Sequence, residues 1–337
     1  MQGYVLKRSG KSEVLKLQAL PEPEVQAGQI KIKVQYIGIN YAEVLSRKGQ
    51  YSWAPKRPYT PGMEGFGQVV AIGEGVTQHQ VNDWVVFGGQ YGGYAEYTVV
   101  PAFMAFAAPA GYTPEQSAAL LVNYMTAWVA LVRLARIQPT DKVLIQAAAG
   151  GVGTAAVQIA AKWGCEVFGT AGAEEKLLLL KKLGASLAIN YRTDDFYDRL
   201  EKYCGGVDVV LEMVGGEVFR KSKALLLPFG RIVVAGYASI PFNKWNPWSW
   251  WLTWKEAPKV QLMAMAKKTS GIMATHIGYL TQNQQVVQQQ YQAMVQFIET
   301  HDIKPVVGRV FDFAELPQAH AFMESRQSTG KILVKVH

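Results

Sequence analysis

The chain has 337 residues, 49% of them hydrophobic, and its 34 Lys+Arg against 26 Asp+Glu give a formal net charge of +8. This is a globular composition, too long for one hydrophobic core, and its basic excess is scattered without interleaved aromatics, so nucleic acid is not an expected partner. Two cysteines, Cys165 and Cys204, make neither a disulfide framework nor a Cys₄ zinc site, which excludes a secreted disulfide scaffold and fits a reducing, cytoplasmic compartment.

Residues 1–20 lack the continuous apolar run of a signal peptide and already alternate in strand fashion. Up to about residue 105, short alternating runs at 30–36, 67–71, 84–87 and 94–100, punctuated by Gly and Pro, predict β-rich, barrel-like material. Residues 113–136 predict one helix opened by Thr-Pro-Glu-Gln. Its apolar stretch, 118–135, is interrupted by Asn123, Thr126 and Arg133 and reads as a buried core helix rather than a membrane span. Apolar runs at 142–146, 166–170, 186–190, 207–212 and 231–235 then alternate with helical segments at 152–163, 174–183, 196–203 and 221–226. Strands that are hydrophobic throughout, alternating with helices, predict an α/β fold with a doubly wound parallel sheet covered on both faces. A Gln-rich helical stretch, 286–300, leads to two last β runs, 305–311 and 331–336. These have no neighbours of their own, so the chain is expected to return to its first domain and make that domain discontinuous.

The most informative segment is Val143-Leu-Ile-Gln-Ala-Ala-Ala-Gly-Gly-Val-Gly-Thr-Ala-Ala-Val-Gln. An apolar strand runs into an A-x-G-x-x-G turn, with Ala148 at the first glycine position of the Rossmann fingerprint, and an Ala-rich helix follows at once. Such a turn lets the backbone of Gly150, Gly151, Val152 and Gly153 approach a pyrophosphate at a helix N-terminus, where a side chain would block it. The dinucleotide is chosen about 20 residues further on, where NAD enzymes place an acid for the ribose 2′-hydroxyl. Here that position is Thr170, in Gly169-Thr170-Ala171-Gly172; Lys176 follows, and Tyr191-Arg192 close the next strand. The missing acid and the nearby cations favour NADP(H), although Glu174 and Glu175 adjoin Lys176.

The runs TPGMEGFGQVVAIGEGV, LLVNYMTAW, AAAGGVGTAAVQ, GTAG, INYR and STGKILV resemble the zinc-independent quinone oxidoreductase branch of the medium-chain dehydrogenase/reductase superfamily. TPGMEG, ALLVNY and HIGYL are most similar to its vesicle amine transport protein subgroup. The resemblance implies a GroES-like catalytic domain from residues 1–122 and 280–337, a Rossmann domain from 123–279, an active site in the cleft and a homodimer. It also aligns Asn40, Met63 and Val122 with the zinc ligands of zinc-dependent relatives. An amide, a thioether and an isopropyl group cannot replace thiolate and imidazole, so no metal is expected. None of the five histidines has ligand spacing.

Without a Lewis acid the substrate must accept hydride readily, as quinones and α,β-unsaturated carbonyls do. The implied function is NADPH-dependent reduction of such an acceptor; the subgroup also leaves open a lipid-associated binding protein with little turnover. By resemblance Asn40 and Tyr51 line the cleft and Thr126 meets the nicotinamide, while Gly236, Tyr237, Gly330 and Lys331 touch cofactor. The family's usual Asp is Glu43 here, a second cleft tyrosine is Leu45, the usual G-D-R-V turn reads Asn82-Asp83-Trp84-Val85, and Glu64 reads as a structural hydrogen-bonding acid. Finally, Trp245, Trp248, Trp250, Trp251 and Trp254 cluster in KWNPWSWWLTW among flanking lysines. That segment is expected to pack at the cleft or dimer edge, with contact to a membrane surface, or a lipid-like acceptor held against the rings, as the alternatives.

Overall fold

The computed structural model describes residues 1–236 and 260–337, so Tyr237 and the five clustered tryptophans lie outside the described residues. Its strands are β1 (Gln2–Val5), β2 (Lys16–Ala19), β3 (Gln29–Ile39), β4 (Glu64–Ile72), β5 (Trp84–Gly88), β6 (Tyr97–Pro101) and β7 (Ala105–Ala107). The middle of the chain gives β8 (Lys142–Ile145), β9 (Glu166–Ala171), β10 (Leu187–Asn190), β11 (Val207–Glu212), β12 (Leu226–Val234) and β13 (Gly271–Ala274), and its end gives β14 (Val307–Asp312) and β15 (Lys331–Lys335). Residue contacts divide the chain into two compact units, Met1–Met125 with Ile277–His337, and Thr126–His276.

In the first unit β1 and β2 pair by themselves, and the large sheet has the order β14-β15-β3-β4-β5-β7, with β6 also paired to β3. Along β3, Ile30, Ile32 and Val34 are fully buried, while the intervening lysines are not. That is the two-residue period of a strand with one face on a core. The last strand, β15, lies antiparallel against β3, with Ile332 opposite Ile39, and β14 runs parallel beside it. Ile32, Val69 and Val85 thus share a core with Phe311, Leu316, Ile332 and Val334, so both ends of the sequence build one GroES-like unit.

The second unit is a parallel sheet in the order β10-β9-β8-β11-β12-β13. Its central strands are buried on both faces, as Val143, Leu144, Ile145, Val209, Val210 and Leu211 show. The chain leaves β8 for β9 and β10 on one side and returns to β11 on the other. The end of β8 is therefore a topological switch point, where open α/β sheets bind ligands.

Two of the expected helices run differently in the structure, and others, such as Tyr41–Lys48 and Leu316–Glu324, were not expected. The helix expected over 113–136 is three pieces: α1 is Tyr41–Lys48, and after it come α2 (Pro114–Ala118), α3 (Leu121–Trp128) and a π-helix, Val129–Leu134. At the break the Val122 N–H donates to the Glu64 carboxylate (2.9 Å). Beyond α4 (Gly151–Lys162), α5 (Glu174–Lys182) and α6 (Phe196–Cys204), the helix expected at 221–226 is α7, Gly216–Ala224, and β12 already starts at Leu226. Gly215 (φ 89°) and Gly216 (φ 58°) open α7 in backbone conformations that glycine tolerates. Among the described residues no helix is long and apolar enough to cross a membrane.

Candidate functional site

In the second unit the site is built on the turn between β8 and α4. Ala147 takes a positive φ (49°), the Gly150 N–H closes on its carbonyl (3.1 Å), and Gly150 caps α4. The N–H groups of Gly151, Val152 and Gly153 fall in the first helical turn, where no intrahelical carbonyl can reach them and an anion can. The glycines differ in purpose. A Cβ on Gly153 would lie 2.4 Å from the Ala148 carbonyl oxygen, so Gly153 allows helix and strand to touch. Among the described residues a Cβ on Gly150 would meet only the Ala147 oxygen, at 3.5 Å, which leaves room beside the turn.

Beneath this turn runs a buried polar chain that sequence reasoning missed. Thr170 donates to Gln146 (2.7 Å) and accepts from the Ala147 N–H (3.2 Å); Gln146 donates to Ser222 (3.1 Å) and Ser222 to Glu212 (3.3 Å). Glu212 in turn accepts from the N–H groups of Val214 (2.6 Å) and Gly215 (2.9 Å), and burial pushes its carboxyl upward. The hydroxyl of Thr170 is thus committed to holding the carboxyl ends of β8, β9 and β11 together. Ala148 is fully buried, and its N–H reaches the Thr170 carbonyl (2.9 Å).

Tyr191 and Arg192 close over Gly172, where an added Cβ would stand 2.6 Å from the Tyr191 hydroxyl and 3.1 Å from Arg192 Nε. Lys176, at the start of α5, is largely buried. Burial pulls its amine below the usual lysine range, Glu175 opposes this and the Arg192 guanidinium adds to it. An amine lowered by burial and by a neighbouring guanidinium is one that a nearby anion would favour in its charged form. Gly236 follows β12, and among the described residues an added Cβ would come no nearer to a neighbour than 3.8 Å, from the Met213 carbonyl oxygen.

In the first unit Asn40 follows β3 and caps α1. Glu43, the third residue of α1, accepts from the Asn40 N–H (2.7 Å) and from the Met63 N–H (2.7 Å), which assigns the acid that the sequence left without a role. Tyr94 also donates to Glu43, and its oxygen lies 2.8 Å from His320 Nε2. The network makes His320 the neutral Nε2–H tautomer. Burial pushes Glu43 up to about 7 and His320 down to about 3.

Asn40 also meets two charges. Its Nδ2 donates to Glu64 (3.0 Å), and its Oδ1 accepts from Lys331 Nζ (2.7 Å), which is itself paired with Glu64. Asn40, Glu64 and Lys331 are all buried. The positions aligned with metal ligands, Asn40, Met63 and Val122, hence surround an ammonium–carboxylate pair, and none offers a thiolate or imidazole; this donor set does not fit zinc. Gly330 (φ 55°) lies so close to Val306 that a Cβ would be 2.3 Å from its carbonyl, which explains a glycine there by packing.

Tyr51 is partly buried, its ring edge-on to Trp53 with centroids 6.4 Å apart. Burial, then the Glu43 carboxylate and Tyr279, hold its hydroxyl above the ordinary tyrosine range, so it stays a donor at neutral pH. Thr126 is partly buried in α3, just ahead of the π-helix.

Residues 183–334 match a family model described as zinc-binding dehydrogenase, and residues 26–110 match the alcohol dehydrogenase GroES-like domain. The human synaptic vesicle membrane protein VAT-1 homolog is 34% identical over 335 residues, covering 98% of this chain and 85% of that protein. Human quinone oxidoreductase is 33% identical over 334 residues, covering 96% and 94%. The solved structure of Escherichia coli quinone oxidoreductase complexed with NADPH superposes with a TM-score of 0.88 at 27% identity, covering 100% of both chains.

Proposed function

Because the chain belongs to the zinc-independent quinone oxidoreductase branch of the medium-chain dehydrogenase/reductase superfamily, we propose that it reduces a small electron-poor acceptor, a quinone or an α,β-unsaturated carbonyl, with NADPH. The observation that carries the reading is a metal-ligand set replaced by Asn40, Met63 and Val122 around a Lys331–Glu64 pair, in a chain that keeps the dinucleotide turn.

NADPH, when bound, supplies the hydride. The remaining work falls to this chain's own groups. Backbone N–H groups of Gly151, Val152 and Gly153 hold the diphosphate, while Lys176 and Arg192 meet the 2′-phosphate. Tyr191 borders that same end beside Gly172, and Thr126 and Gly236 serve the nicotinamide side. Negative charge arriving on the acceptor is delocalised onto an oxygen, which needs a hydrogen-bond donor and, later, a proton. Tyr51 and the Asn40 amide are the donors assigned to that oxygen. The superfamily membership also supports a homodimer.

A titration of NADPH against NADH, followed by turnover on 9,10-phenanthrenequinone, naphthoquinones and alkenals, tests the reading. Saturable oxidation of NADPH, with NADH much weaker, is the expected result. Tight NADPH binding with no turnover on any acceptor would replace it with a binding function.

A further inference from the structure

Asn40, Glu64 and Lys331 come from the end of β3, from β4 and from β15, and their contacts leave little freedom in how the Asn40 amide is oriented. An ammonium can only donate, so the amide oxygen faces Lys331 at 2.7 Å. An ionised carboxylate can only accept, so the amide nitrogen faces Glu64 at 3.0 Å. Glu64 is itself anchored by the Val122 N–H on its other oxygen. The pair occupies space that bare backbone provides. A Cβ on Gly38 would stand 2.8 Å from Lys331 Cε and 2.9 Å from Glu64 Cγ.

The hydrogen-bond count then shows what remains for a ligand. One Nδ2 hydrogen of Asn40 belongs to Glu64. Among the described residues the other has only the Gly38 carbonyl at 3.4 Å, a long contact that a negatively charged oxygen can displace. An ammonium on the amide oxygen draws electron density from the nitrogen and strengthens that second N–H as a donor. Lys331 is 2% exposed and Glu64 0%. Neither is open to an acceptor molecule, so any influence they have must pass through Asn40.

We propose that Lys331 is a positioning residue for the reduction: paired with Glu64, it fixes the Asn40 amide and reserves its second N–H for the acceptor oxygen on which charge collects. This rests on the quinone or enone reductase reading and adds to it the group that orients the oxyanion donor. In the overall reaction the acceptor gains a hydride and then a proton, giving hydroquinone or saturated carbonyl, while NADPH becomes NADP⁺. Lys331 touches neither the acceptor nor the transferred hydride and contributes only orientation and polarisation.

The test is a double-mutant cycle of Lys331→Met and Asn40→Ala, read by single-turnover NADPH oxidation at saturating NADPH together with NADPH affinity by fluorescence. Each single variant should slow hydride transfer by about 100-fold, the scale of a misplaced reacting group. The double variant should be no slower than either, with NADPH affinity unchanged. Multiplicative losses in the double variant would show that Lys331 acts independently of Asn40. Weakened NADPH binding with an unchanged hydride-transfer rate would make it a cofactor contact instead; either result overturns the proposal.

A second measurement needs no turnover. In ¹⁵N-asparagine-labelled protein the Asn40 side-chain amide, identified by its loss in Asn40→Ala, should exchange slowly with solvent and lose that protection in Lys331→Met. Retained protection overturns the proposal. If the wild-type protein turns over no acceptor, the functional reading fails while the amide signal still decides the positioning claim. Should Lys331→Met not fold because Glu64 is left unpaired, Lys331→Met/Glu64→Gln removes both charges and is read in the same way.

Discussion

At the residue scale, two glycines three positions apart are expected to respond oppositely to a side chain. Position 150 has extended backbone (φ −77°, ψ 178°) and open space around a Cβ, whereas position 153 has a carbonyl at 2.4 Å. Gly150→Val should therefore unfold at nearly the wild-type temperature yet lose NADPH binding in a fluorescence titration. Gly153→Ala should instead lose roughly 1–3 kcal/mol of stability in urea, the usual cost of overpacking. At the adenosine end, Lys176→Ala should weaken NADPH by about 1–3 kcal/mol, the scale of a charge-assisted hydrogen bond, and leave NADH almost unaffected. Equal losses for the two cofactors would remove Lys176 from the 2′-phosphate.

At the element scale, α1, the Met63 segment and the helix Leu316–Glu324 meet through Glu43, Tyr94 and His320, and the two titratable ends of that chain oppose each other. Glu43 titrates at about 7 in the fold, above an unfolded glutamate, so its contribution is complete below about pH 4.3 and is lost as pH rises through 7. His320 titrates at about 3, below an unfolded histidine, so its contribution is complete above about pH 6.5 and is lost as pH falls toward 3. Between roughly pH 4.5 and 6.5 the two slopes cancel. Denaturant stability of His320→Gln should therefore rise from pH 7 to pH 5, that of Glu43→Gln should fall, and the wild type should stay flatter than both. These elements also mark what was legible in the sequence. The parallel sheet was, because strands buried on both faces read as unbroken apolar runs, and so was the glycine turn. The π-helix was not, since residues 129–134 are apolar nearly all round and carry no glycine or proline to mark a change of pitch. Strand β13, three half-buried residues and one exposed, gave too short a pattern. The Asn40–Glu64–Lys331 cluster was legible residue by residue but not as a unit, because Lys331 and Glu64 are 267 positions apart.

At the scale of the whole molecule, a cluster that offers no thiolate or imidazole sets the expected dependence on metal supply. Turnover should survive exhaustive chelation, and elemental analysis of purified protein should find no stoichiometric zinc. The order in which the sequence is woven bears on how the molecule is made. β15 is the last strand of the chain and lies between β14 and β3, while residues 126–276 form a unit of their own before it emerges. During synthesis the parallel sheet can close while residues 36–39 of β3, on the edge whose first half pairs with β6, still wait for their partner. Closing a loop of roughly three hundred residues costs only slowly growing entropy, but the open edge is a template for pairing with other chains until it is covered. The strand that carries Lys331 is thus also the seam that seals the first unit, and the time between translation of β3 and arrival of β15 is the interval in which this protein is most exposed to aggregation.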